Sequence, residues 1–118
     1  MLEQFKVSHD DAEFVQGDDL KKTVAGIFEK LGVNSEDALL AADVQVLADL
    51  RGVDSHGVSN MLKSYITGYQ EGSINPRPNW KVVRETPSTA AVDSDKGLGT
   101  IITPKAMDIA IQKAKNVG

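Results

Sequence analysis

The sequence predicts a mixed α/β fold: a bundle-like run of helices, then strands and one further helix. Over 18–70, apolar residues recur every three or four positions, the period of an amphipathic helix, with capping residues and glycines between the runs. After Gly72 the pattern gives way to Asn75-Pro76-Arg77-Pro78 and short β-branched runs, which disfavour helix. Thr103-Pro104 then introduces a last helical run.

Taken in order, the segment up to Gln16 shows a brief apolar alternation at Phe5 and Val7 before an acidic patch, and reads as an arm or edge strand. His9 lies there and is expected to be solvated, without a role. Leu20, Val24, Ile27, Phe28 and Leu31 define the first helix; acids occupy its first turn, Lys30 its last turn, and Gly32 closes it. A second helix starts at an Asn34 or Ser35 cap, with an apolar stripe of Leu39, Ala42, Val46 and Leu50 flanked by Ala38 and Leu47. Because so few residues join them, the two helices should pack as a hairpin.

Gly52 interrupts the pattern, and Asp54-Ser55 offers a fresh N-cap for a third helix running to about Gln70, with Gly72 closing it. At about 100° per residue, Val58, Met61, Leu62, Tyr65 and Tyr69 fall on one side, and His56, Asn60, Lys63 and Thr67 on the other. Beyond the proline-rich linker, a strand around Trp80, Val82 and Val83, a Pro87-Ser88 turn and a strand at 89–92 form a hairpin, and a turn at 94–97 follows. The last helix is expected to open at Thr103-Pro104 and to present Met107, Ala110, Ile111 and Ala114. Gly97-Leu98-Gly99 precedes it, but Ile102 stands where a dinucleotide fingerprint needs glycine, so a tight turn is the better explanation than a phosphate cradle.

Composition narrows the function. A chain of 118 residues suits one domain with a real core but is short for a complete cofactor-dependent enzyme. With no cysteine, disulfides, thiolate metal sites and cysteine nucleophiles are all excluded, and no metal site is expected. The 13 basic residues are scattered among 17 acidic ones for a net charge of −4, which argues against nucleic acid. No apolar run approaches membrane-spanning length, and the acidic opening residues do not resemble a secretory signal, so a cytoplasmic location and small-molecule or protein partners are expected.

Chemistry concentrates at 49–61, a charged, hydroxyl-rich turn between two amphipathic segments with the only histidine outside the N-terminal arm. In the first turn of a helix, His56 would feel the positive end of the helix dipole, which favours a neutral ring able to polarise a carbonyl or shuttle a proton. A merely solvated helix face is the alternative reading of His56, Asn60, Lys63 and Thr67.

The run Leu50-Arg51-Gly52-Val53-Asp54-Ser55-His56-Gly57-Val58-Ser59-Asn60-Met61-Leu62, followed by Tyr65, Gly72 and Asn75-Pro76-Arg77-Pro78, resembles the malate/L-lactate dehydrogenase family of NAD(P)-dependent oxidoreductases. That family also includes ureidoglycolate and sulfolactate dehydrogenases. The likeness continues through the strand end at Ala91-Val92-Asp93, Gly97-Leu98-Gly99 and the final helix. It implies hydride transfer between a 2-hydroxy acid of malate or lactate type and NAD or NADP, on a dehydrogenase fold unlike the Rossmann fold, in a homodimer. It further implies that residues 1–75 form a helical domain carrying the Asp54-Ser55-His56-Gly57 motif, and that 76–118 begin an incomplete cofactor-binding α/β domain. Family members continue into a second histidine and a lysine with acid-base roles, so this chain alone is expected to be catalytically incomplete.

The same resemblance assigns His56 to catalysis, and Ser55 and His56 to the cofactor and substrate end of the cleft. Ser55, Asn60, Lys63 and Arg51 are candidate substrate contacts. Many relatives carry arginine where this chain has Asn60, so the nearest cation on that helix face is Lys63, two turns beyond His56; it offers charge without the planar guanidinium fork. Arg51 is a second cation, or it holds the turn through neighbouring carboxylates. The competing function is a non-enzymatic helical interaction module with an apolar face awaiting a partner.

Overall fold

The computed structural model describes residue 8 and residues 10–118. The strand predicted from Phe5 and Val7 and the position of His9 lie outside the described residues, and 10–16 form no strand. The architecture is mixed and helix-rich: α1 (Gly17–Lys30), α2 (Ser35–Leu50), a 3₁₀ turn (Asp54–His56), α3 (Val58–Gln70), β1 (Lys81–Glu85), β2 (Ala90–Asp93) and α4 (Gly99–Val117).

The α1–α2 hairpin forms as predicted. Asp18 and Asp19 occupy the first turn of α1 and Lys30 its last, matching the helix dipole. Asn34 is the cap of α2: its Oδ1 accepts from the Asp37 backbone N–H at 3.0 Å while its Nδ2 donates to Asp37 Oδ2 at 2.8 Å. The buried face of α2 takes Ala38, Ala42 and Val46 of the predicted stripe but not its leucines. Ala38, Ala41, Ala42, Gln45 and Val46 are buried, whereas Leu39, Leu47 and Leu50 are exposed, Leu50 to 74%. Small side chains win this face because Phe28 and Val24 of α1, both essentially inaccessible, fill the space between the helices. Leucines there would overfill a close-packed crossing.

One core joins the helices to the start of α4. Val24, Ala25, Phe28, Val33, Ala38, Ala41 and Ala42 pack with Tyr69 of α3 and with Leu98, Ile101 and Ile102. The Tyr69 ring meets Phe28 edge-on, with centroids 6.1 Å apart. Across the same junction Lys105 Nζ donates to the buried Asp37 carboxylate at 2.6 Å.

The predicted hairpin is present: β1 and β2 pair antiparallel, Val82 opposite Val92, with a bulge between Val82 and Arg84. Residues 75–79 are held rather than loose. Asp95 Oδ2 accepts from Asn75 Nδ2 at 3.0 Å and from the Asn79 N–H at 2.9 Å, and Arg77 Nε donates to Gly32 O at 3.0 Å.

The last helix starts earlier than predicted, at Gly99, so Pro104 sits in its second turn rather than at its opening. Leu98 O accepts from the N–H groups of Ile101 and Ile102, and all three side chains are buried. Burying each stabilises by roughly 1.5–3 kcal/mol, against about 3 kcal/mol for a proline in a helix interior. Burial therefore fixes the boundary. Gly97 belongs to the tight turn: a Cβ there would fall within 2.6 Å of Ile102 Cγ1 and 2.9 Å of Pro78 Cγ. No helix among the described residues is long and apolar enough to cross a membrane.

Candidate active site

Helix α2 ends at Leu50, and Arg51 caps it through a backbone N–H shared between Leu47 O and Ala48 O. The chain then reverses at Gly52, and the Val53 N–H returns to Ala48 O at 2.8 Å. Asp54, Ser55 and His56 form a single 3₁₀ turn closed by His56 N–H to Val53 O at 2.9 Å and Gly57 N–H to Asp54 O at 3.2 Å. Only after Gly57 does α3 begin.

This corrects two expectations. His56 precedes α3 rather than occupying its first turn, so the dipole reasoning attached to a first-turn histidine does not apply. Neither Asp54 nor Ser55 caps α3. The capping acceptor comes from the preceding helix: Asp49 Oδ2 takes the Val58 N–H at 2.9 Å. That contact dictates the residue between them, because Gly57 is buried and a Cβ on it would collide with Oδ1 and Cγ of Asp49. Asp54 Oδ2 is enclosed without a hydrogen-bond partner among the described residues.

Three of the predicted site residues are brought together. Ser55 Oγ lies 2.9 Å from His56 Nδ1, and Asn60 Nδ2 donates to Ser55 O at 2.8 Å, tying the 3₁₀ turn to the first turn of α3. His56 and Asn60 are exposed and Ser55 is half-buried. With Nδ1 engaged by Ser55, Nε2 is the ring nitrogen left for a ligand. The serine hydroxyl can donate or accept, so Nε2 can carry a hydrogen or offer a lone pair according to the tautomer. Asn60 keeps its Oδ1 and one N–H for other partners.

Arg51 and Lys63 are not drawn into this unit. Both are exposed, and neither forms an ion pair with a described residue, so Arg51 does not hold the turn through carboxylates. They flank it, one before the turn and one on α3. None of the described cavities, of about 340, 360 and 290 Å³, is lined by Ser55, His56 or Asn60.

Sequence reasoning gave no role to Asp49 or Gly57, which position the turn. Asp49 lies nine positions before the N–H it caps, so no local capping pattern reveals it. Gly57, following His56, was the available signal, since glycine serves close approach as well as tight turns.

Residues 15–118 match the family model described as malate/L-lactate dehydrogenase, and the chain belongs to that family. It is 50% identical over 98 residues to the L-sulfolactate dehydrogenase of Methanocaldococcus jannaschii, covering 83% of this chain and 28% of that protein. To the malate dehydrogenase of Pyrococcus horikoshii it is 46% identical over 104 residues, 88% of this chain and 29% of the relative. The solved Pyrococcus horikoshii malate dehydrogenase superposes with a TM-score of 0.89 at 43% identity, over 100% of this chain and 33% of that one. For the Methanocaldococcus jannaschii sulfolactate dehydrogenase the TM-score is 0.86 at 46% identity, over 90% of this chain and 30% of that one. The chain thus spans less than a third of the length of the two sequence relatives.

Proposed function

We propose that this chain is the N-terminal portion of an NAD(P)-dependent dehydrogenase that interconverts a 2-hydroxy acid of malate or lactate type and the matching 2-oxo acid. The observation that carries the reading is the hydrogen-bonded Ser55–His56–Asn60 unit, with His56 and Asn60 exposed, lying inside the family match. An unpartnered interaction module accounts for exposed apolar surface but not for this unit, and family membership does not favour it.

In the oxidation direction the alcohol loses a hydride from carbon and a proton from oxygen, giving the carbonyl. NAD or NADP, when bound, supplies the hydride acceptor, or in reverse the donor. His56 Nε2 meets the reacting oxygen, orienting and polarising it, while Ser55 Oγ fixes the ring through Nδ1 or donates to substrate or cofactor. Lys63 and Arg51 provide positive charge for the substrate carboxylate, and Asn60 adds one amide hydrogen bond. These donors fit the reacting end of such a cofactor; the Gly97 turn, filled by Ile102 and Pro78, offers no phosphate cradle. In this reading residues 1–75 are the helical domain bearing the site turn, 76–118 open the cofactor-binding domain of a non-Rossmann fold, and the enzyme is a homodimer.

The test is oxidation of malate, lactate and sulfolactate with NAD and with NADP, by the chain and by the chain joined to whatever its reading frame encodes after Gly118. Activity confined to the longer polypeptide is expected. There, His56→Ala should lower kcat by about 10²-fold or more. Unchanged turnover would remove His56 from the chemistry, and absence of any 2-hydroxy-acid oxidation or cofactor binding by the longer polypeptide would sink the reading.

A further inference from the structure

Asn60 ties the 3₁₀ turn to α3, and its neighbours fix which way round its amide stands. The two groups that its nitrogen meets are acceptors that cannot donate: the Ser55 backbone carbonyl at 2.8 Å and the Met61 thioether sulfur at 3.8 Å. An amide oxygen turned toward them would set lone pair against lone pair, so the nitrogen takes that side. One N–H goes to Ser55, and the other lies against the sulfur, a weak acceptor. Oδ1 is left without a partner among the described residues, on a side chain that is exposed.

The residues around it offer a different polarity. Arg51 and Lys63, exposed and without an ion pair among the described residues, are donors only. Ser55 Oγ is engaged with His56 Nδ1 at 2.9 Å, and the hydroxyl and Nε2 each donate or accept according to the tautomer. Asn60 alone among these residues presents an acceptor by constraint. A carboxylate carries only acceptor oxygens and has no hydrogen to give it, so the substrate carboxylate belongs with Arg51 and Lys63 and not with Oδ1 of Asn60.

We propose that Asn60 is a specificity-determining residue whose Oδ1 accepts a hydrogen bond from a neutral donor at the reacting end of the bound ligands. Two sources carry that chemistry, the 2-hydroxyl of the substrate and the carboxamide NH2 of the nicotinamide. The assignment rests on the dehydrogenase function proposed above and gives a direction to the amide hydrogen bond made there. A site built around an acceptor holds the ligand that brings a hydrogen and rejects the analogue that lacks it, because Oδ1 is then left unpaired in the closed complex.

The experiment crosses Asn60→Leu with ligands that lack one donor, in the polypeptide extended beyond Gly118, by titration calorimetry. Leucine has nearly the size of asparagine and no polar side-chain atom. The reduced cofactor is compared with its acetylpyridine analogue, in which a methyl group replaces the carboxamide NH2. L-malate is compared with succinate, and L-lactate with propionate, which lack the hydroxyl; reduced cofactor is present so that no hydride moves. Losing the tie to Ser55 affects both members of a pair and cancels between them. In at least one pair the unmodified protein should prefer the donor-bearing ligand by about fivefold or more beyond the preference that Asn60→Leu retains. A difference in the cofactor pair names the carboxamide as the source, and one in the acid pairs names the hydroxyl. Preferences equal in the two proteins for every pair overturn the proposal, and with His56→Ala still lowering turnover they leave the dehydrogenase function standing. A polypeptide that binds neither cofactor nor acid overturns both.

Discussion

Gly57 and Asp49 act as one unit, which makes their coupling measurable. The Asp49 carboxylate reaches the Val58 N–H only because Gly57 has no Cβ. An alanine at 57 forces the carboxylate to swing away, so Gly57→Ala and Asp49→Ala remove the same hydrogen bond. Each should destabilise by about 1–2 kcal/mol, the range for losing an N-cap, and the double variant should lose little more than either alone. Urea unfolding of the four proteins checks this; additive losses would show that the two residues act separately. The same turn carries Ser55 and His56, so the support beneath the site is a carboxylate that hydrogen-bonds to the Val58 N–H and to neither of them.

Among the elements, a cap was legible where its partner is local, at α2, and not at α3 or α4, whose predicted caps do not form. Asn34 was readable as a cap because its partner Asp37 lies three residues away, within the reach of local pattern. Asn34→Ala should therefore cost about 1 kcal/mol, seen as a lower urea midpoint with an unchanged slope, whereas Asn34→Asp should retain most of the stability. On α2, Ala38, Ala42 and Val46 of the predicted stripe are buried as read, and its leucines were misplaced because hydrophobicity ranks leucine above alanine, while a close crossing beneath Phe28 selects for small volume. The opening of α4 was misread because a Thr-Pro pair is a strong local start signal, and burial of Leu98, Ile101 and Ile102, which no local pattern reveals, outweighs it. At the candidate site, hydrogen bonds join Ser55, His56 and Asn60, and the start of the helix that follows them is capped by Asp49, supplied by the preceding helix.

On the scale of the whole molecule, Tyr69 sits where α1, α2 and α3 converge, and it links the fold to pH. Its ring packs on Phe28, and its hydroxyl is buried without a partner among the described residues. Burial, with smaller contributions from the Asp37 charge and from Tyr65, pushes the hydroxyl up from 10.0 to about 12. Burial raises Tyr65 as well. A group whose folded value is raised contributes its stability fully below the unfolded value, and that contribution is lost as pH rises through the folded value. For Tyr69 the window runs from 10.0 to about 12, and at about pH 11 the loss should be about 1 kcal/mol. Because Tyr65 is raised as well, the informative quantity is the difference between the chain and Tyr69→Phe. The phenylalanine keeps the ring contact and removes a buried hydroxyl that has no partner, so stability near neutral pH should be equal or slightly higher. Urea midpoints at about pH 8 and about pH 11 should fall less for Tyr69→Phe than for the unmodified chain, and parallel falls would show that the hydroxyl does not couple the three-helix junction to pH.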